Sequence, residues 1–534
     1  MIKTILIYIL FLSGVYAFAD AGQHGVCCKE ELLQTLSENR QIRHFEGLGD
    51  LYHREGYRLL WKVQDIEDLI RVAKDRELNY RAYAYHTETI ERLLAKKAVA
   101  GLDHAEAARL DLLAADQFLS LAKLFYEGEI EWHAFRQELE ADPEKQLVWE
   151  PNPRRHDYGS EMLQALQRHR VYKQLKSYLP DEEAYRALVD AYRRYTKLRF
   201  PKIDYTKDLK QGDYGYEVTQ LKHYLQTTGD LPQSDPKYLD FPTFDARLDA
   251  AVRRFQKRHY LKPNGIFDRV NVLYARRSAA EKARQIYLNI ERYKLFPRVE
   301  EGTHLIINIP GFLLDFFRGN RLEREIGVVI GREDRPTPIF RDYLEYIVLN
   351  PTWSIPQNLM KKDYIPHLVE DPESLLADDI HIYQGGREID PTKVEWSRYL
   401  DYEGKIPYQM VQKAGEKNVL GAMKFIFPNK YNVYLHDTNA KHLTSLRYRL
   451  YSSGCIRLSE PYVLLSLLSP YTGYSYAQLT DIIASGRTKH IRLTRRIPIH
   501  IRYLTAFVDQ AGRVNFRKDF YGYDAMQQPL LEGK

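Results

Sequence analysis

The sequence predicts a multidomain α+β protein: a helical N-terminal region, a small three-helix module, and a mostly β C-terminal domain carrying an insertion. Three observations predict it. At 534 residues and 62.9 kDa the chain exceeds what one hydrophobic core supports, so about three domains are expected. The early part carries Leu, Ala, Glu, Arg and Tyr at helical spacing, whereas the part after residue 300 is built of short Ile, Val, Leu and aromatic runs. The composition, 44% hydrophobic and 28% charged, is that of an ordinary globular chain.

The N-terminus reads as a secretory signal peptide over residues 1–19. Met1-Ile2-Lys3 supplies a positive charge, Thr4 to Phe18 is nearly all apolar, and Ala17-Phe18-Ala19 has the small-x-small form of a cleavage site. The apolar run is short for a membrane span, although an uncleaved signal would leave the chain membrane-anchored. A periplasmic location is therefore expected. Lys and Arg exceed Asp and Glu by 78 − 72 = 6 with no basic block, so no nucleic-acid partner is expected. Cys27 and Cys28 carry no assigned role.

A helical scaffold is expected over residues 28–200. Thr87 to Leu94, Ala105 to Leu121 and Glu182 to Leu198 place apolar residues at i, i+3, i+4 steps, and Asp103 stands at an N-cap position. The second unit spans 204–279. Gly212 and Gly215 mark a tight turn, Val218, Leu221 and Leu225 define one helix face, Asp245 caps a second helix, and Gly265 to Asp268 begin a third. A helical connector from Ala280 to Tyr293 leads into the third unit, 296–520. There His304 to Ile309, Phe312 to Phe317, Glu323 to Ile330, Leu344 to Leu349 and Tyr431 to Leu435 read as strands, with a hairpin turn at Gly319-Asn320. Charged and helical pieces over 356–416 interrupt the strands, an insertion long enough to suggest a lid. A final hairpin is expected around Ala511-Gly512, between Ile499 to Asp509 and Arg513 to Lys518.

The chemistry concentrates in Tyr434-Leu435-His436-Asp437-Thr438 and Ser452-Ser453-Gly454-Cys455-Ile456-Arg457-Leu458. Cys455 is one of three cysteines in the chain and has no second cysteine in its own domain to pair with. A thiol needs a base or a depressed pKa to act as a nucleophile, and His436 titrates in the useful range. The small residues Ser452, Ser453 and Gly454 permit a sharp turn and let backbone amides approach a developing oxyanion. Arg457, on the face of Cys455 in an extended segment, suits a carboxylate in fork geometry or holds the site's own backbone. Metal motifs such as C-x-x-C and H-E-x-x-H are absent, as is G-x-S-x-G.

The pattern Y-x-H-D-T…S-S-G-C-I-R-L resembles the active-site signature of the YkuD-type L,D-transpeptidases. The resemblance extends to Asn350-Pro351-Thr352-Trp353-Ser354-Ile355-Pro356, Arg335-Pro336-Thr337-Pro338 and Phe425 to Asn429, and with Tyr52, Gly56, Tyr57 and Trp61 it points to the YcbB-like branch. Residues 204–279 resemble a peptidoglycan-binding module through Gly212, Asp213, Gly215, Asp245, Phe255 and Gly265. The family implies Cys455 as nucleophile and His436 as general base, with the carbonyl of Asp437 or of Gly454 orienting the imidazole. It further implies the Gly454 and Cys455 amides, Ser453, Tyr434, Arg457 and Trp353 as oxyanion or substrate contacts. The implied reaction releases D-Ala from a tetrapeptide stem through a cysteine thioester and forms a 3→3 cross-link, with no cofactor. Hydrolysis of the stem, attachment of a protein lysine, and a non-enzymatic wall-binding scaffold remain open alternatives. The expected partners are peptidoglycan stem peptides and glycan strands, with other cell-wall synthesis enzymes and inhibition by carbapenem-type β-lactams as family expectations.

Overall fold

The computed structural model describes residues 29–38, 42–150, 156–296 and 302–532. The expected signal peptide, Cys27 and Cys28 lie outside the described residues. The chain divides into two compact units, Met1–Tyr126 with Arg155–Leu179, and Glu127–Arg154 with Pro180–Lys534. Residues 127–154 and 180–200, expected in the scaffold, thus belong to the second unit.

The first unit is helical. Its longest helix, His104–Tyr126, is buried along most of its length and begins with Asp103 Oδ1 accepting the Glu106 amide at 2.8 Å. Asp111 on this helix is buried and accepts from Tyr52 Oη at 2.5 Å and from the Leu60 and Trp61 amides. One carboxylate therefore fixes the Tyr52 to Trp61 segment by satisfying donors that burial would otherwise strand.

In the second unit, helices Tyr216–Thr227, Ala246–Arg258 and Arg269–Ala275 close over Val218, Leu221, Leu225, Leu248, Val252 and Phe255, with the short helix Pro236–Asp240 between the first two. Asp245 and Asp268 cap the second and third of these three through the Leu248 and Asn271 amides, 2.8 and 2.9 Å. Gly265 is irreplaceable in space: at φ +78° a Cβ would lie 1.9 Å from Asp249 Oδ1.

The C-terminal domain comprises β1 (Thr303–Asn308), β2 (Leu313–Arg318), β3 (Arg321–Gly331) and β4 (Arg341–Leu349). Then come β5 (Trp353–Ser354), β6 (Ile380–Gln384), β7 (Arg387–Glu388) and β8 (Gln409–Gln412) of the insertion. The chain returns as β9 (Met423–Ile426), β10 (Leu435–His436), β11 (Leu450–Ser452), β12 (Ile456–Leu458) and β13 (Lys489–Arg502), and ends with β14 (Ala506–Val508), β15 (Val514–Phe516) and a helix, Tyr523–Glu532. The main sheet runs β11-β3-β12-β10-β9-β4-β13-β1-β2, and β2 also pairs with β3, which closes it into a barrel. Leu305, Ile307, Phe316, Val328, Ile347, Phe425, Leu435, Ile456 and Leu458 are fully buried. The parallel β10–β12 pairing brings together segments from either side of the β11 excursion.

Two expected strands differ. Tyr431 to Leu435 shrinks to Leu435–His436, because the Asn429 side chain takes the Tyr431 and Val433 amides and Asn432 adopts φ +56°, making a turn. Ile499 to Arg502 joins β13, held between β1 and β4, so only β14 and β15 form the last hairpin. The insertion is a compact subdomain with its own sheet, β5-β8-β6-β7, and its own core of Trp353, Ile365, Leu368, Ile382, Trp396 and Met410.

Candidate active site

The register of three short strands builds the site. His436 of β10 pairs with Arg457 of β12 on one side and with Lys424 of β9 on the other. Alternation along a strand puts Leu435, Phe425 and Ile456 into the core and Lys424, His436 and Arg457 on the opposite face. Cys455, two residues before Arg457, and Tyr434, two before His436, stand on that same face at neighbouring positions, tied where the Ile456 amide donates to the Tyr434 carbonyl at 3.1 Å. Cys455 and His436 are thus brought to one face of adjacent strands.

His436 is buried, and its Nδ1 lies 2.5 Å from the Asp437 carbonyl. A carbonyl only accepts, so Nδ1 carries the hydrogen and Nε2 is left with the lone pair a base requires. Of the two orienting carbonyls open in the sequence, Asp437's makes the contact; Gly454's accepts instead from Thr337 Oγ1 at 2.9 Å. Burial, and then the Arg457 guanidinium, push the imidazole down to about 3, with the Asp437 carbonyl opposing and Lys424 adding to the shift. At neutral pH the ring is uncharged.

The Cys455 thiol is half-buried and donates to the Asn432 carbonyl at 3.7 Å. Burial raises its pKa, opposed by hydrogen bonds from Tyr434 and by the charges of Arg457 and Lys424. The resting pair is therefore thiol and neutral imidazole, and attack on a carbonyl requires the proton to leave sulfur as the bond forms.

The nucleophile turn is braced from two directions. Ser452 Oγ donates to the Cys455 carbonyl at 2.5 Å and accepts the Gly454 amide at 3.2 Å, while Gly454 takes φ +106°, a conformation suited to glycine. This corrects one expectation: the Gly454 amide is already engaged, so of the two expected oxyanion donors only the Cys455 amide has no acceptor among the described residues. From below, buried Thr337 accepts the Gly331 amide at 2.9 Å and donates to the Gly454 carbonyl, and Tyr521 Oη donates to the Gly331 carbonyl at 2.7 Å.

Ser453 is exposed, and its Oγ accepts from Arg335 Nη1 at 3.1 Å. Arg335 also grips Asp363 of the insertion through two bonds of 2.5 and 2.6 Å. Trp353 is buried in the insertion core, against which the Tyr434 ring packs. The Asp437 carboxylate faces away from the chemistry, accepting the Ala422 amide at 2.9 Å and pairing with Lys441. Lys424, Arg335, Asp363, Thr337 and Asn432 join the expected residues here. Lys424 left one trace in sequence, as the lone charge within Met423–Ile426, and Arg335 and Thr337 stand in the Arg335-Pro336-Thr337-Pro338 segment that carries the family resemblance; Asp363 and Asn432 depend on contacts across the fold.

Residues 302–468 match the profile described as L,D-transpeptidase catalytic domain (YkuD), residues 46–191 one described as scaffold domain, and residues 214–270 one described as "Putative peptidoglycan binding domain". The chain carries a YkuD-family L,D-transpeptidase catalytic domain. A relative from Haemophilus influenzae, described as "Putative L,D-transpeptidase", is 30% identical over 241 residues, 45% of this chain and 48% of the relative. The chain therefore matches about half the length of that relative. Among solved structures, an L,D-transpeptidase from Xylanimonas cellulosilytica covers 56% of this chain and 100% of its own at 14% identity and TM-score 0.17. L,D-transpeptidase 1 of Mycobacterium tuberculosis covers 38% and 63% at 10% identity and TM-score 0.15. The YkuD match includes His436 and Cys455 and spans the whole insertion, so the transpeptidase domain and the site on β9, β10 and β12 coincide.

Proposed function

We propose that this chain is a cysteine-dependent L,D-transpeptidase of the YcbB-like branch that forms 3→3 cross-links between peptidoglycan stems. The observation that carries the reading is the single sheet face shared by Cys455 and a neutral His436 whose Nδ1 hydrogen is committed to Asp437. As the sulfur attacks the carbonyl of the third stem residue, His436 Nε2 takes the thiol proton. It then passes that proton to the amine of the departing D-Ala as the C–N bond breaks, leaving a thioester. The side-chain amine of another stem attacks the thioester, loses a proton to His436, and expels the thiolate, which recovers the proton. The thioester conserves the energy of the broken amide, so no nucleotide or cofactor is required. The Cys455 amide and the Tyr434 hydroxyl are the groups assigned to the oxyanion, and Arg457 to the substrate.

The insertion is assigned as a lid that shields the thioester from water and so favours transfer over hydrolysis. The three-helix module is assigned to holding the wall polymer, and the N-terminal signal to delivery into the periplasm. The test is product identity: purified protein with disaccharide-tetrapeptide yields a 3→3 dimer and free D-Ala by mass spectrometry. Hydrolysed tripeptide alone would make the protein a carboxypeptidase, and neither product would leave a wall-binding scaffold.

A further inference from the structure

Two cations flank the imidazole without a carboxylate to answer them. Lys424 and Arg457 are half-buried, and neither is in an ion pair among the described residues. The Arg457 Nε is buried with no acceptor, and the Cys455 sulfur and the Tyr364 hydroxyl of the insertion are the groups whose charge favours its cationic form. The Lys424 ammonium lies 5.5 Å from the Tyr434 ring centre and feels the Cys455 sulfur. Two other buried cations of the same unit each meet a carboxylate, Arg502 with Glu182 at 2.6 Å and Arg292 with Asp524 at 2.7 Å. A half-buried cation left without an anion is costly unless a ligand supplies one.

We infer that Lys424 and Arg457 form a two-cation clamp for the free carboxylate of the donor's leaving residue, making Lys424 a specificity-determining residue. The geometry follows from the register. Lys424, His436 and Arg457 stand in one row across β9, β10 and β12, with the sulfur beside them. When Nε2 of His436 protonates the departing amine, the carboxylate one carbon away from that amine falls beside the imidazole, where the two charges wait. The site therefore accepts donors whose scissile bond precedes a terminal residue, and it discriminates against a donor that continues or is capped there. This assignment rests on the acyl-transfer reading above, whereas the anion clamp itself does not.

Two measurements test it. The first compares alkylation of Cys455 by iodoacetate and iodoacetamide, read at the Cys455 peptide; the ratio of rates cancels any change in thiolate fraction. The wild type is expected to favour the anionic reagent about 10-fold more than Lys424→Met does, with Lys424→Arg close to wild type. An unchanged ratio in Lys424→Met overturns the clamp. The second compares a stem tetrapeptide bearing a terminal carboxylate with its terminal amide as acyl donors. The wild type should prefer the acid by roughly 10- to 100-fold in kcat/KM, a gap that Lys424→Met closes and Lys424→Arg restores. Equal use of both by the wild type, or a preference that survives in Lys424→Met, overturns the donor assignment. A shifted alkylation ratio with neither peptide acylating Cys455 overturns the transpeptidase reading and the donor assignment with it.

Discussion

Gly421→Ala tests how the base is held. Gly421 has φ +60°, and a Cβ there would lie 2.3 Å from Asp437 Oδ2, whose own backbone carbonyl carries His436. The left-handed backbone costs an alanine about 1 kcal/mol. Driving the carboxylate aside also breaks its bond to the Ala422 amide, a charge-assisted hydrogen bond worth about 1.5–3 kcal/mol. The sum is about 2.5–4 kcal/mol. Gly473→Ala is the control, since φ is +76° there but nothing lies within 4 Å of the added Cβ. It should cost only the backbone term. At about 2–4 °C per kcal/mol for a domain of this size, Gly421→Ala should melt several degrees below Gly473→Ala. Its kcat should also fall at temperatures where both proteins are folded, because the Asp437 carbonyl moves with its side chain. A second check is non-additivity: with Asp437→Ala already present, Gly421→Ala should cost less than in the wild type but more than the backbone term, since the Cβ at position 437 still lies 2.7 Å from the added one. Equal melting shifts for the two glycine variants would refute the claim that the Asp437 carboxylate fills the space over Gly421.

The pH dependence has a definite sign. With His436 held near 3, kcat/KM should stay level as pH falls from 7.5 to about 5, where an ordinary imidazole near 6.5 would lose activity; a midpoint near 6.5 would contradict the neutral resting ring. The same depression means the folded state binds fewer protons, so stability from His436 is present above about 6.5 and is lost as pH falls toward 3. This is checked by comparing urea midpoints of wild type and His436→Asn at pH 7 and pH 5. Thr337→Val strips a partner from the buried Gly331 amide and the Gly454 carbonyl and should lower stability by about 2–5 kcal/mol, measured by denaturant unfolding. Arg335→Met and Asp363→Asn should each speed amide hydrogen exchange over residues 360–370, with a coupling of about 1 kcal/mol in a double-mutant cycle.

What the sequence disclosed was local, and what it withheld depends on register. Cys455, His436 and their small or polar neighbours sit within two short segments, so residue type and spacing sufficed to single them out. The helix caps at Asp103 and Asp245 were similarly legible, each lying three residues before the amide it accepts. Lys424 becomes part of the site only because β9 runs antiparallel to β10 and places it opposite His436. Thr337 reaches Gly454 across 117 residues of chain, and no local pattern encodes that distance. Tyr431 to Val433 has strand-like composition, but the Asn429 side chain competes for its amides and wins.

The most direct test is the covalent state of one sulfur. Protein mixed with disaccharide-tetrapeptide, quenched in acid and digested, should show the Cys455 peptide heavier by the donor minus D-Ala, with the mass removed by hydroxylamine as expected of a thioester. His436→Ala should nearly abolish the adduct and Cys455→Ala should show none. Cross-linked product from Cys455→Ala, or an acyl group found on any other residue, would contradict the account.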